Sequence, residues 1–225
     1  MATTKGQRVG IWVITLVLLI GTIGGFIAMM LMPGNNAKDQ AELAAASKRY
    51  SEEQKKYQEK TTAQATTLSN QYYGTFSEYS SRVGSFAADQ VKELKTEDLK
   101  EGDGETVTQD TRFFVYYIGW NAKGEIFDQS IEGDKLKAPF AIDGPAKAQV
   151  INGWKEGGIG MKLGGVRELT IPAAKAYGSQ SAGDKIPANA PLKFVVMAIK
   201  ADWIEQPKVP EILQRARSQY NGLTE

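Results

Sequence analysis

The pattern of apolar and polar residues divides the chain into segments of three kinds. An uncharged apolar run extends from Val9 to Met32. A segment rich in Ala, Glu, Lys and Gln follows it, and this composition favours helix. From Leu94 onward, β-branched and aromatic residues alternate with the period of a strand. We therefore predict a membrane-spanning helix at residues 9–32, a helical stalk at residues 33–93, a folded domain at residues 94–202 and a tail at residues 203–225.

The apolar run has the length of a membrane span. Its 24 residues reach about 36 Å as a helix, against about 30 Å for the hydrocarbon core of a bilayer. A cleaved signal peptide is the alternative, but its apolar core is shorter, about 7–15 residues. Lys5 and Arg8 precede the run. The positive-inside rule therefore places residues 1–8 in the cytoplasm and the domain outside the cell membrane.

An aromatic stripe marks the end of the stalk. Its members are spaced alternately by four and three residues, which predicts one apolar face of a helix: Tyr72, Phe76, Tyr79, Val83 and Phe86. The Thr-rich "TTAQATTLSN" just before it is expected to interrupt the helix. The stripe either packs on the domain or pairs two chains into a dimer. Packing on the domain is favoured, because Gly74 and Gly84 weaken an independent helix.

The domain reads as α+β. "TRFFVYYIGW" and "EIFDQSI" flank the turn "NAKG", which predicts a hairpin. "VRELTIP" and "LKFVVMAIK" alternate as strands, with Leu192, Phe194, Val196 and Ala198 on one face. The Gly-rich "GWKEGGIGMKLGG" is the helix candidate between them. In the tail, Val209 to Tyr220 is either a short helix begun at Pro210 or an exposed extension.

Composition excludes several kinds of chemistry. The chain contains no Cys and no His, which rules out thiol and imidazole catalysts, disulfides and Cys/His zinc sites. The acidic residues are scattered, and neither a calcium loop nor a P-loop is present, so we predict no metal and no cofactor. Without Lys5 and Arg8, the part of the chain after the apolar run carries 25 basic and 26 acidic residues, and this net charge of −1 gives no basic surface for a nucleic acid.

Five motifs in residues 94–202 resemble those of FKBP-type peptidyl-prolyl isomerases. They are "FVYYIGWNAKGEIFDQS", "APFAI", "QVINGWKEGGIGMKLGG", "ELTIPAAKAYGS" and "IPANAPLKFVV". The resemblance implies a twisted antiparallel β-sheet wrapped around one short helix, with an aromatic pocket for a proline side chain. It implies isomerisation of Xaa-Pro bonds in proline-containing polypeptides, in support of protein folding, and binding of macrolide inhibitors. A peptide-binding chaperone or a surface assembly module with weak or no isomerase activity is the alternative.

The resemblance also assigns the site residues. Trp154 forms the pocket floor, and the catalytic group consists of Tyr117, Asp128 and Tyr177. The remaining substrate-binding residues are Phe127, Phe140, Val150, Ile151, Ile186 and Phe194. Asp128 is expected to accept a hydrogen bond from the phenol of Tyr117, and the glycines beside Trp154 are expected to let backbone and substrate come close. Without the resemblance, Trp154 would be read as a core residue and Asp128 as a turn residue.

Two loops depart from the family pattern. The Arg that often accompanies Asp128 has no counterpart in "SIEGDKLKAPF", which is longer than the compact form of this loop. In "SAGDKIP", residues 181–187, which we call the flap, Lys185 stands where an apolar residue is common. We expect its ammonium group to extend over the pocket rim into water.

Overall fold

A computed structural model describes residues 37–221 of the chain. The helices of this part are α1 (Ala37–Ser77), α2 (Asn152–Gly158) and α3 (Glu211–Asn221). Its strands are β1 (Lys95–Lys100), β2 (Arg112–Asn121), β3 (Ile126–Gln129), β4 (Ile131–Glu132), β5 (Lys135–Leu136), β6 (Phe140–Asp143), β7 (Val166–Ile171) and β8 (Leu192–Ile199). The predicted span at residues 9–32 lies outside the described residues. Across residues 37–221, no helix combines the length and the apolar character that a membrane crossing requires.

The described chain forms two compact units, of which the first contains residues 37–63 and 203–221. In this unit, the first part of α1 packs on α3. Leu43, Ala46 and Tyr50 share one buried cluster with Leu213, which is fully buried. The tail therefore forms a helix directly after Pro210, and the alternative of an exposed extension is wrong.

The second unit contains residues 64–202 and is built on an antiparallel sheet. The strand order is β1-β7-β8-β2-β3, and β6 pairs with the first half of β2. This sheet confirms the α+β prediction, including the hairpin of β2 and β3 and the two later strands. The predicted face of β8 is confirmed as well, since Leu192, Phe194, Val196 and Ala198 lie in one buried cluster.

The opposite face of the sheet is also covered. Val195 and Met197 of β8 share a second buried cluster with Tyr116 of β2. The end of α1 supplies the cover, and its Phe76 is fully buried against Tyr116, with ring centroids 6.0 Å apart. The aromatic stripe thus packs on the sheet of its own chain, as favoured. Pairing of two chains through the stalk stays a prediction.

The expected interruption of the stalk helix is wrong. Helix α1 runs without a break through the Thr-rich stretch to Ser77. Leu68 and Ser69 lie in that stretch and are buried. Tertiary packing of this kind outweighs the small propensity cost of the threonines.

The prediction of one helical face through Phe86 is wrong beyond Ser77, where α1 ends. The rest of the stripe lies in the segment after α1, which continues over the sheet. Residues Glu78–Arg82 form a 3₁₀ turn, and Arg82 Nε donates to Glu168 Oε2 at 2.8 Å. Further along, the indole of Trp120 donates to the carbonyl of Gly84 at 3.0 Å, and the amide of Phe86 donates to Ala122 O at 3.0 Å. The segment is therefore fixed to the turn between β2 and β3.

Candidate active site

Two glycines bring helix α2 close to the sheet. A Cβ atom on Gly153 would lie 2.4 Å from Ile171 Cγ2, and one on Gly157 would lie 2.8 Å from Leu169 Cδ2. Both contacts are too short for a real side chain, so α2 approaches β7 only because these positions are glycine. At these two positions the expected close approach is therefore that of α2 to β7, and approach of a substrate to the glycines stays a prediction.

The resulting position of Trp154 places it at the centre of an aromatic cluster. Its ring centroid lies 5.2 Å from that of Tyr117, 5.3 Å from Phe194 and 6.3 Å from Phe140, with interplanar angles of 77°, 86° and 88°. Phe127 packs edge-on against Phe194 at 5.4 Å. These near-perpendicular pairs have the geometry that aromatic side chains prefer. Five predicted pocket residues are therefore brought together.

Gly119 of β2 makes room for this cluster, and sequence reasoning missed it. A Cβ atom there would lie 2.5 Å from the ring of Phe194 and 2.8 Å from the ring of Phe127. Any larger residue would displace both rings. The sequence signal was a glycine in the middle of a strand, which often marks a close approach.

Aliphatic side chains complete the cluster. Ile186 of the flap is 1% exposed and is buried among the same residues as Phe194. Val150 and Ile151 pack against this cluster and are partly buried. Ile151 immediately precedes α2 and accepts a hydrogen bond from the amide of Trp154 at 3.0 Å.

The indole N–H of Trp154 is buried and has no hydrogen-bond acceptor among the described residues. Leaving a buried donor unpaired costs about 1–3 kcal/mol. An apolar side chain would fill a core position without that cost. The buried phenol of Tyr116, a core residue, shares this feature, so the unpaired donor alone does not separate a core role from a site role for Trp154.

Tyr117 and Asp128 form the predicted hydrogen bond. The phenol of Tyr117 donates to Asp128 Oδ2 at 2.7 Å, and the amide of Gln129 donates to Asp128 Oδ1 at 2.9 Å. Ser130 holds Tyr117 from the other side, because the Tyr117 amide donates to Ser130 Oγ at 3.0 Å. Ser130 is buried, and sequence reasoning missed it because a serine after a strand reads as a turn residue.

The long loop after Asp128 folds as the small hairpin of β4 and β5. Helix α1 holds it. Ser69 Oγ accepts the amide of Leu136 at 2.8 Å, and the phenol of Tyr73 donates to Gly133 O at 3.3 Å. The loop that separates Asp128 from Phe140 is thus braced by the helix.

Tyr177 does not belong to the buried aromatic cluster. It lies in the loop after β7, and its side chain is 43% exposed. The loop is closed by a hydrogen bond from the amide of Asn189 to Gly178 O at 2.7 Å. Phe140, at 42% exposed, is the other large and exposed side chain assigned to the pocket.

The flap adds one contact to the expected position of Lys185. The residue is exposed, as expected, and its Nζ also donates to the carbonyl of Ile126 at 2.5 Å. That carbonyl lies at the start of β3, next to Phe127. The flap is therefore tied to the β2–β3 hairpin.

An ion pair between the buried Arg167 and the exposed Asp98 holds the end of α2. Arg167 donates to both carboxylate oxygens of Asp98, at 2.6 and 2.9 Å, and to the carbonyls of Gly157 and Ile159 at 2.9 and 3.0 Å. The hydrogen bond from Arg167, followed by its charge, lowers the pKa of Asp98 below its ordinary value. The helix that carries Trp154 is thereby fixed at its C-terminal end.

Comparison with known proteins agrees with this geometry. A family model described as FKBP-type peptidyl-prolyl cis-trans isomerase matches residues 103–199. The chain is 42% identical over 107 residues to the FK506-binding protein of Neisseria meningitidis serogroup A, covering 48% of this chain and 94% of that relative. It is 42% identical over 103 residues to FK506-binding protein 4 of Rhizopus delemar, covering 46% of this chain and 26% of that relative.

Two solved structures match about half of the chain. The crystal structure of AtFKBP13 has 31% sequence identity and a TM-score of 0.42, and the match covers 48% of this chain and 93% of that one. A peptidyl-prolyl cis-trans isomerase from Pseudomonas syringae pv. tomato has 28% identity and a TM-score of 0.42, with coverage of 56% and 90%.

The chain belongs to the family of FKBP-type peptidyl-prolyl cis-trans isomerases. Its activity is accordingly the cis-trans isomerisation of peptide bonds that precede proline.

Proposed function

We propose that the cluster around Trp154 binds the proline ring of an Xaa-Pro segment and promotes rotation about the bond before it. The observation that carries this proposal is the set of three near-perpendicular ring contacts on Trp154. Such a cluster offers apolar surface to a pyrrolidine ring and excludes water. The reaction breaks amide resonance, with a barrier of about 18–20 kcal/mol, but makes no covalent bond to the enzyme. A chain without Cys or His can therefore catalyse this reaction.

The proposed mechanism rests on differential stabilisation. When the amide twists, its carbonyl loses resonance charge, and an apolar pocket favours this state over the polar planar one. The hydrogen bond from Tyr117 to Asp128 keeps the phenol ring in one orientation beside Trp154. The Ile151 amide, at the start of α2, and the exposed Tyr177 hydroxyl would hold the peptide in register.

We propose that the same pocket binds FK506. Support comes from the names of the relatives, which are FK506-binding proteins, and from the aromatic cluster that the macrolide would occupy. The ligand and a proline peptide should then compete for one site. Lys185, at which the flap departs from the family pattern, precedes Ile186. This departure would affect the affinity for the macrolide and for the proline peptide.

The proposed place of action is outside the cytoplasmic membrane, with residues 9–32 as the anchor and extracytoplasmic polypeptides as clients. Support comes from the uncharged run and from Lys5 and Arg8 before it. Protease added to intact spheroplasts should digest the isomerase domain. A domain that is protected until the membrane is lysed would contradict this orientation.

The pocket is tested by a matched pair of substitutions. Phe140 and Ile159 are both large, apolar and exposed, at 42% and 39%, but Phe140 contacts Trp154. Phe140→Ala should lower kcat/KM about fivefold to tenfold, because part of an apolar contact of about 1.5–3 kcal/mol is lost. Ile159→Ala should leave kcat/KM unchanged. Equal values for the two variants, measured by exchange NMR on a proline peptide, would refute the assignment.

A further inference from the structure

Asn121 is a buried polar residue at the end of β2 that no pocket assignment includes. Its side chain is only 5% exposed, and it makes four hydrogen bonds. Oδ1 accepts the amides of Lys123 and Glu125 at 3.0 and 3.1 Å. Nδ2 donates to Glu125 Oε2 at 2.8 Å and to the carbonyl of Lys185 at 2.9 Å. Backbone amides only donate, so the orientation of this side-chain amide is fixed by its partners.

The bond to Lys185 ties the flap to the hairpin of β2 and β3. A second tie runs in the opposite direction, since Lys185 Nζ donates to Ile126 O at 2.5 Å. The flap is also closed on itself, because the amide of Ala182 donates to Ile186 O at 2.8 Å. Backbone and side chain of the same flap residue are thus fixed to two points of the hairpin.

The hairpin is itself well supported. Its turn accepts a hydrogen bond at Ala122 O from the amide of Phe86, and Trp120 donates to Gly84 O. The hairpin to which the flap is tied is therefore itself hydrogen-bonded to residues 84–86, which precede β1. A flap tied to it keeps a fixed position relative to β3.

We propose that Asn121 and Lys185 are positioning residues that hold the flap, and with it Ile186, against the proline pocket. This inference rests on the proposed pocket function. Lys185 precedes Ile186, which is packed with Phe194, and Ile126 precedes Phe127, which contacts Phe194. The two ties therefore link the backbone on both sides of one wall of the pocket.

The expected effect lies mainly in substrate binding. A flap that is already ordered loses little conformational freedom when a peptide binds, whereas a loosened flap must be ordered by the peptide. Trp154 and Tyr117 take no part in either tie, so the contact between their two rings is kept. Loss of one tie should therefore raise KM about threefold to tenfold, the effect of one hydrogen bond, with kcat nearly constant.

The test uses the full chain in detergent micelles and four variants. Lys185→Met removes the ammonium and keeps the apolar stem, and Lys185→Arg restores a cation. Asn121→Asp keeps the shape and the acceptor but loses the two donors. Lys123→Met is the matched control, because it removes a charge from the exposed hairpin turn, where only the backbone amide takes part in the network. KM and kcat are measured by exchange NMR, and hydrogen exchange reports the Ala182 amide.

Lys185→Met and Asn121→Asp should raise KM and speed exchange at Ala182, while Lys185→Arg and Lys123→Met behave like wild type. The proposal is overturned if Lys185→Met equals Lys123→Met in KM, or if KM rises without faster exchange at Ala182. If the wild type binds a proline peptide but does not isomerise it, the proposed mechanism fails. The dissociation constant then replaces KM, and the same two comparisons decide the positioning role.

Discussion

Replacing Phe76 with alanine is the sharpest test of the claim that the end of the stalk helix belongs to the isomerase unit. The side chain is fully buried and packs beside Tyr116 of β2. Its cluster also contains Trp120 and Met197. The substitution would leave a cavity on the face of the sheet that is opposite to the pocket.

The magnitude follows from burial. Replacing a buried Phe with Ala typically costs about 3–5 kcal/mol, and this includes both lost transfer free energy and the cavity. Domains of this size have a free energy of unfolding of about 5–15 kcal/mol. At a urea slope of about 2 kcal/mol/M, the unfolding midpoint should fall by roughly 1.5–2.5 M.

Urea unfolding of the full chain in detergent, followed by tryptophan fluorescence, measures this shift. Trp120 is 1% exposed and lies in the same cluster as Phe76, so its emission reports the relevant unit. Gln71→Ala is the control, because Gln71 lies on the same helix and is exposed. A midpoint for Phe76→Ala that equals that of Gln71→Ala would refute the reasoning and return residues 64–77 to the stalk.

Three further substitutions test individual residues. Tyr177→Phe removes one hydroxyl from an exposed ring and should lower kcat/KM by up to about tenfold with the melting temperature unchanged, since one hydrogen bond is worth about 0.5–1.5 kcal/mol; unchanged kcat/KM would remove the hydroxyl from the site. Phe194→Ala empties a position that is 5% exposed and should cost about 3–5 kcal/mol in urea unfolding, whereas a loss below about 1 kcal/mol would place Phe194 outside the core. Asp98→Asn tests the ion pair with Arg167. The pKa of Asp98 in the folded state lies below its ordinary value, so the pair stabilises the fold fully at a pH above the unfolded-state pKa. This stability is lost as the pH falls through the lower folded-state pKa. The variant should therefore lose less stability than wild type as the pH is lowered past the ordinary pKa of Asp, about 3.9, and parallel acid unfolding curves would contradict this role.

The strands were predictable because their signal is local. The alternation in "LKFVVMAIK" identified Leu192 and Phe194 as one buried face. What covers the other face was not predictable, because Val195 and Met197 meet a helix far away in the sequence. The predicted interruption of the helix at the Thr-rich stretch was wrong for the same reason, since helix propensity describes an isolated helix and not one that is packed on a sheet.

The aromatic site was predictable from the ordered motifs, and the hydrogen bond between Tyr117 and Asp128 followed from them. The supporting residues were not. Asn121 reads locally as a turn residue, and its bond to Lys185 exists only because the fold brings the flap to the hairpin. Gly119 reads as a strand glycine until the rings of Phe127 and Phe194 are placed beside it.

The most direct test of the central claim is the rate of cis-trans exchange in a short Xaa-Pro peptide, measured by exchange NMR with the full chain and with Trp154→Leu. Uncatalysed exchange takes tens to hundreds of seconds at 25 °C. The wild-type chain should shorten this time in proportion to its concentration. Trp154→Leu is first shown by circular dichroism to keep its fold. Its catalysed exchange rate should then be lower than that of the wild type by a factor of at least about ten. Exchange that stays at the uncatalysed rate with a folded wild-type chain, or equal catalysis by folded Trp154→Leu, would contradict the account.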